Sequence, residues 1–501
     1  SVRRLVIAGI GVLIQIIWVV VLVMRLNQYS QIITLLTVAI ELVLVLAVYS
    51  MDTNAAFKLP WIILITVAPI VGICVFFLFG RSGATKKVRT RYRKIDQQLF
   101  AYLNQDEQII EELSKKDERL ANDFKYLWKC ASSPVYKNTD VKYYGDTCDA
   151  MAAQLEDMMK AKQFIFLEYH AIEMAESFQA LRKVLMAKAR EGVEIRILYD
   201  DAGCIGFLNP RFIKYMESMG IQCRVFNPIM PVLNIFMNNR DHRKITVIDG
   251  KVAYTGGYNL ADEYFNITHP YGQWKDSGIR FEGDAVQTAT ILFLEMWNAL
   301  KEQDVDIEKY LPVYPYKAKE QGFFALYGDS PLDKEPAGEN VYMNLLRHAK
   351  KYIYFTTPYL ILSDEMTREL TGAAKRGVDV RIITPGIPDK KTIFQVTKSY
   401  YPQLLKHGVK IYEYTPGFMH EKQCICDGEI VVVGTINLDF RSLYLHFENA
   451  ALFCGYEAVS HVKEDFDALF PICKDMSKEP SERTRRLRLS QLILRLFSPL
   501  M

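Results

Sequence analysis

The feature that most constrains the fold is a repetition. "AREGVEIRI" at 189–197 and "AKRGVDVRI" at 374–382 are nearly the same text, offset by 185 residues. Around the first copy, "QFIFLEYH" (163–170) reads as a buried strand, "ESFQALRKVLMAKAREG" (176–192) as a helix ended by Gly192, and "VEIRILYDD" (193–201) as a second strand. In the second half, "KYIYFTTPYL" (351–360), "EMTRELTGAAKRG" (365–377) and "VDVRIITPG" (378–386) repeat that order. A further pair, "MESMGIQCRVF" (216–226) and "LLKHGVKIYEY" (404–414), extends the match. A unit of roughly 180 residues is too long for a solenoid repeat. Strands alternating with helices require a sheet covered by helices on its faces. The expected fold is therefore α/β, with two similar domains over 131–312 and 313–480, each a mixed sheet flanked by helices.

The residues before this duplication have a different character. Leu5 to Met24, Ile32 to Val48 and Trp61 to Phe79 are three apolar runs in succession. A hydrocarbon core of about 30 Å is crossed by about 20 apolar residues in a helix, and a single cleaved signal peptide does not explain three runs. Residues 1–80 are therefore expected to be a membrane region of two or three transmembrane helices, with Glu41, at the centre of the second run, in a packing role. "RSGATKKVRTRYRK" (81–94) carries seven Lys/Arg and no acid, and it opens an expected basic linker and helical segment over 81–130. By the positive-inside rule it predicts a multi-pass protein of the cell membrane with its large domains on the cytoplasmic side. Three crossings would leave Arg3 and Arg4 outside, against that rule. The basic stretch also suits contact with anionic lipid.

Overall charge selects little. The 61 Lys+Arg against 58 Asp+Glu give a net charge of +3, which provides no global attraction to nucleic acid. The nine cysteines form no C-x-x-C pair and no zinc-finger spacing, so they read as reduced thiols of a cytosol-facing protein.

Chemistry enters with two related stretches, "DHRKITVIDG" (241–250) and "HEKQCICDG" (420–428). Side chains two apart on a strand share a face, so His242 and Lys244 point the same way, as do His420 and Lys422. Asp249-Gly250 and Asp427-Gly428 are hairpin signals. Their aspartates, on the opposite parity to the histidines, are expected to pin the turns. Asn259 and Asn437 each follow their histidine by 17 residues, and Asp276 and Glu448 follow by 34 and 28. A carboxylate on one imidazole nitrogen fixes the tautomer and makes the ring a better nucleophile or base.

A single such histidine is more often an ordinary strand residue. Two, each with the same lysine and asparagine spacing in a duplicated chain, point to chemistry. If the copies face each other about a pseudo-twofold, two histidines, two lysines and two asparagines converge. That set suits a phosphodiester: one histidine attacks phosphorus, the other protonates the leaving alkoxide, and Lys244, Lys422, Asn259 and Asn437 stabilise the phosphoryl oxygens. No carboxylate-rich cluster is visible, so neither a metal nor another cofactor is expected.

At these residues the chain resembles the phospholipase D superfamily, whose signature H-x-K-x-x-x-x-D stands here as His242, Lys244, Asp249 and as His420, Lys422, Asp427. Within it, "NRDHRKITVIDGKVAYTGGYNLADEY", "GTINLDFRSLYLHFENA" and "AAFKLPWIILITVAPIVGICVFFLFGR" are similar to the bacterial cardiolipin synthases. The resemblance implies transfer of a phosphatidyl group between two phosphatidylglycerol molecules with release of glycerol. It implies His242 as nucleophile and His420 as acid, and it counts Asp249 and Asp427 in the catalytic set. The implied partners are phosphatidylglycerol and anionic membrane lipids, with self-association left open. The third hydrophobic run departs from the family pattern, since many relatives manage with two. The rival readings are a phosphatidyl hydrolase or phosphatidylserine synthase on the same scaffold, a membrane-anchored nuclease, and a lipid-binding relic. Intact motifs in both halves oppose the relic, and the apolar runs and small net charge oppose the nuclease.

Two other stretches suit a lipid substrate. "NPIMPVLNIFMNN" (227–239) is an apolar segment before the first histidine, fit to dip into a bilayer or to join the core. Residues 481–501 include "RTRRLRLSQLILRLF", whose Leu489, Leu492, Ile493 and Leu496 form one helical stripe among five arginines; an interfacial amphipathic helix is expected there.

Overall fold

The computed structural model describes Ile17 and residues 30–77, 86–208, 211–228, 239–301, 304, 306–479, 487 and 489–500. These fall into two compact bodies, one within 1–85, 229–239 and 488–501, the other within 86–228 and 240–487.

The smaller body contains the helices Ser30–Tyr49, Ala55–Val67, Pro69–Val75 and Leu489–Phe497. Leu44, Val48, Ile65 and Phe76 form its core. The expected transmembrane helices and multi-pass membrane localisation are corrected here: among the described residues, no helix is long and apolar enough to cross a membrane. The third apolar run shows why. Ala68 leaves helical geometry (φ −136°, ψ 71°) before Pro69, and the run splits into helices of 13 and 7 residues. Proline has no N–H to donate and disfavours helical geometry in the residue before it. The two pieces pack so closely at Gly72 that an added Cβ would lie 2.5 Å from the Leu64 carbonyl oxygen. The second run forms the helix Ser30–Tyr49, where half-buried Glu41 shares a stripe with buried Leu44 and Val48. Apart from Ile17, the first run lies outside the described residues, as do 229–238 of the apolar segment before His242. In the C-terminal stripe, Leu489, Leu492 and Ile493 are exposed.

The larger body is a mixed α/β structure built on two sheets. The first uses β1 (Thr139–Tyr144), β2 (Phe164–Tyr169), β3 (Glu194–Asp200), β4 (Gln222–Phe226), β6 (Lys244–Ile248), β7 (Val252–Gly256) and β9 (Gly278–Gly283), while β5 (Arg240–Asp241) and β8 (Gln273–Lys275) pair elsewhere. The second uses β10 (Phe323–Asp329), β11 (Tyr352–Thr356), β12 (Asp379–Pro385), β13 (Lys410–Tyr414), β15 (Gln423–Cys426), β16 (Ile430–Gly434), β17 (His446–Cys454) and β18 (Cys473–Asp475), with β14 (Gly417–Met419) set apart. The spatial orders are β1-β9-β7-β6-β2-β3-β4 and β10-β17-β16-β15-β11-β12-β13-β18. Strand for strand these are one topology, extended in the second sheet by β18.

Along the two strand orders the neighbours β2-β3-β4 and β11-β12-β13 run parallel, and a parallel pair needs a crossover long enough to hold a helix. The crossover helices Glu176–Arg190 and Asp364–Lys375 end at Gly192 (φ +86°) and Gly377 (φ +93°), the left-handed termination that glycine adopts most readily. The helix Val286–Leu300, buried on nearly all sides, packs against strands of both sheets. Its "ILFLEMW" text suits a helix with no solvent face. All nine cysteines are free thiols.

The Asp-Gly turns have positive φ at both residues, +52° and +63° at Asp249-Gly250 and +54° and +71° at Asp427-Gly428, as a type I′ hairpin requires. The Asp249 carboxylate accepts the backbone N–H groups of Lys162, Gln163 and Phe164 at 2.7, 2.8 and 2.9 Å. Asp427 does the same for Lys350, Lys351 and Tyr352 at 2.8, 2.7 and 2.9 Å. At about 3.3 Å per residue, each lies roughly 20 Å along the strand from its histidine. Among the described residues the hydrogen bonds of both carboxylates go to backbone N–H groups at the start of the neighbouring strand, an arrangement that suits a positioning role. Asp249→Asn keeps a residue that tolerates positive φ and removes the charged acceptor. It should lower unfolding free energy by about 1–3 kcal/mol, read by urea denaturation. Unchanged stability with lost activity would contradict this role.

Candidate active site

Two short parallel pairings assemble the site. β5 lies beside the start of β17, with Arg240 opposite His446 and Asp241 opposite Phe447. The His242 N–H then donates to the Phe447 carbonyl at 2.9 Å. β14 lies beside β8, and the His420 N–H donates to the Lys275 carbonyl at 2.8 Å. Phe447 and Lys275 immediately precede Glu448 and Asp276, so each histidine is clipped next to the other copy's carboxylate. His242 Nδ1 lies 2.9 Å from both Glu448 oxygens, and His420 Nδ1 lies 2.5 Å from Asp276 Oδ2. The pairing is crossed between the copies. Both histidines precede their strands rather than lying within them, because the chain leaves one pairing and enters the next at that point.

The carboxylates are themselves held. Glu448 accepts from Ser442 Oγ at 2.6 Å and from the Thr435 hydroxyl. Asp276 accepts from the Ser277 N–H at 2.9 Å. Lys244 Nζ donates to the His242 carbonyl at 2.7 Å, and Lys422 Nζ donates to the His420 carbonyl and lies 2.8 Å from His420 Nδ1.

All four side chains are buried, and burial disfavours every charged form. Burial, reinforced by Lys244 and Lys422, holds the His242 imidazole well below its usual range. Burial, then Lys422 and Lys244, does the same to His420. Burial lowers Lys244 to about 8 and Lys422 to about 7, and it raises Asp276 to about 6 against the pull of Lys422. The imidazoles are thus neutral near pH 7. With Nδ1–H directed at a carboxylate, Nε2 keeps its lone pair, the form that a nucleophile or base needs.

The asparagines are not equivalent. Asn259 accepts the Ala171 N–H at 3.1 Å and donates to the Tyr264 hydroxyl at 2.9 Å, so its amide is engaged within its own copy. Asn437 approaches Asp439 through its amide, and its Oδ1 is buried without a hydrogen-bond partner.

Sequence reasoning missed the walls of the site. The His170 and His446 rings stand 5.1 and 5.6 Å from that of His242, and His170 Nδ1 donates to the Asp241 carbonyl at 2.7 Å. Around His420 stand Trp274, Tyr264 and Phe418 at 5.0, 5.1 and 5.8 Å. "HFENA" carried a signal for His446, which shares strand parity with Glu448.

Among the described residues, His242, His446 and Glu448 have ligand atoms within 4.8 Å of one another and form one candidate metal set. With a single carboxylate it is not a carboxylate-rich cluster, and the sequence reading did not consider His446 there. Glu448 is already occupied by His242, Ser442 and Thr435, and two buried lysines add positive charge, so the set fits an anion better than a cation. A separate cleft of about 640 Å³, lined by residues such as Glu194, Arg196 and Asp304, is occupied by its own ion pairs.

Two His-Lys segments with crossed carboxylates, on duplicated mixed sheets, define a protein of the phospholipase D class. The family model described as "Cardiolipin synthase, PLD-like domain" matches residues 155–297 and 342–470. The cardiolipin synthase of Halalkalibacterium halodurans is 32% identical over 88% of this chain and 87% of its own. Cardiolipin synthase 2 of Bacillus anthracis is 31% identical over 88% and 86%. The phosphatidylserine synthase of Haemophilus influenzae shares the fold, with a TM-score of 0.55 at 13% identity over 76% of this chain and 98% of that one. The chain belongs to the cardiolipin synthase, PLD-like family and is a phosphatidyltransferase of the phospholipase D superfamily.

Proposed function

We propose that this protein joins two phosphatidylglycerol molecules into cardiolipin, releasing glycerol, through a phosphohistidine on His242. The observation that carries the reading is the crossed set of two carboxylate-held imidazoles, each with a buried lysine on its own backbone carbonyl. Relatives named cardiolipin synthase support the choice of substrate.

His242 Nε2 attacks phosphorus while its Nδ1–H remains on Glu448. As the P–O bond to glycerol breaks, His420 gives its proton to the departing oxygen. His420 acquires that proton when the anionic phosphodiester enters, because a nearby negative charge favours imidazolium. Neutral again, His420 takes the proton of the second lipid's hydroxyl. That oxygen attacks phosphorus and frees His242. Lys244 and Lys422 neutralise the phosphoryl oxygens throughout. Asp276 orients His420 and stabilises its charged form.

Labelled phosphatidylglycerol incubated with the purified protein and a chelator should yield cardiolipin and equimolar glycerol. Phosphatidic acid alone would identify a hydrolase. Loss of turnover restored by one divalent metal would place an ion on His242, His446 and Glu448 and overturn this mechanism.

A further inference from the structure

The copies are alike in topology, yet the two flanks of the site differ in chemistry. Aromatic rings of Trp274, Tyr264 and Phe418 wall the His420 flank. At the place beside His242 that is equivalent to that of Trp274, the second copy supplies His446, two residues before Glu448 as Trp274 is two before Asp276. His446 is 12% exposed at its side chain, and neither of its ring nitrogens has a hydrogen-bond partner. Its Nδ1 lies 3.6 Å from Glu448 Oε1, beyond hydrogen-bond length. Glu448 is also committed to His242, Ser442 and Thr435.

Arg441 is half-buried, its Nε is buried without a hydrogen-bond partner, and no acid lies within ion-pair distance of it among the described residues. The neighbouring Asp439 accepts instead from the backbone N–H groups of Arg441 and Ser442 at 2.9 and 3.0 Å. The Leu445 N–H donates to the Arg441 carbonyl at 2.9 Å, so His446, the next residue, starts about one helical turn from Arg441. In either protonation state the His446 imidazole carries an N–H to give. Native structures rarely leave adjacent buried donors unmatched, so a ligand with acceptor oxygens is indicated.

We propose that Arg441 and His446 form a second anion subsite, which holds the phosphodiester of the second phospholipid and makes an anionic glycerol-phosphate compound the preferred acceptor. The proposal rests on the phosphatidyl transfer described above. Its geometry fits that reaction: three carbons separate the two phosphates of the product, and the His446 ring stands 5.6 Å from His242. Water and neutral alcohols gain nothing from the subsite.

The test uses the full chain, unlabelled phosphatidylglycerol as donor, and radiolabelled glycerol 3-phosphate or radiolabelled glycerol as competing soluble acceptors, so that label entering the lipid fraction reports each transfer. The parent protein should favour glycerol 3-phosphate by about tenfold or more, the scale of one charge-assisted interaction. Arg441→Gln should bring that ratio close to one, whatever its overall rate, and His446→Gln should lower it. Arg441→Lys should retain part of it, and melting curves show whether each variant is folded. A parent that makes cardiolipin without this preference, or a folded Arg441→Gln variant with the parent's ratio, would overturn the subsite alone. A parent that transfers to no alcohol would overturn the functional reading and the subsite with it.

Discussion

His242→Ala should form no covalent lipid intermediate with any donor, whereas His420→Ala should still give a burst of nitrophenol from a nitrophenyl phosphatidyl ester. The reasoning starts from what each ring must do. Forming the phosphohistidine requires a nucleophile, and no leaving group compensates for its absence. Protonating glycerol's alkoxide requires an acid, and nitrophenolate departs without one. With the natural donor both variants should lose about 10³-fold or more in kcat, as when a member of a concerted catalytic set is removed. Only the activated donor separates them. The duplicated topology leaves the roles interchangeable, so the experiment decides between the copies. Labelled lipid trapped on His420 and absent from His242 in the unmodified protein would reverse the assignment and leave the phosphodiester chemistry intact.

The second large effect concerns the crossed carboxylates. Glu448 lies 206 positions along the chain from His242, and it holds that ring at 2.9 Å through both oxygens. Glu448→Gln should therefore slow phosphohistidine formation by about 10²–10⁴-fold even with the nitrophenyl donor, because the attacking ring loses its charge partner and its tautomer. Asp276 holds His420. Asp276→Asn should slow the reaction with phosphatidylglycerol by a similar factor and leave the nitrophenol burst within about tenfold of the parent. Burst rates by stopped flow check both. The opposite pattern would mean that each carboxylate serves the histidine of its own copy during catalysis.

Much of the larger body was legible because its signals are local. The strands Phe164–Tyr169 and Glu194–Asp200 and the helix between them are written in short-range periodicity and in Gly192, and their counterparts in the second sheet repeat the text. The Asp-Gly pairs announced turns with positive φ, which the backbone has at both places. The third apolar run misled because hydropathy counts side chains and passes over backbone. Pro69 stood in plain view within it, and one missing N–H with one disfavoured conformation was enough to divide the helix.

What the sequence determined by itself, then, is the repeated unit, the placing of His242 beside Lys244 and of His420 beside Lys422, and the turns that register their strands. These follow from interactions between residues a few positions apart. The tertiary structure alone decided that Glu448 serves His242 and Asp276 serves His420. It also decided that the two imidazoles and the two lysines are buried enough to shift their proton affinities, and that one flank carries His170 and His446 while the other is aromatic. The physical reason is that a strand pairing such as β5 with β17, and the burial it creates, joins segments some 200 residues apart. No local pattern records which distant backbone will satisfy a given N–H, and the dielectric surroundings of an ionisable group exist only after the sheets have closed around it.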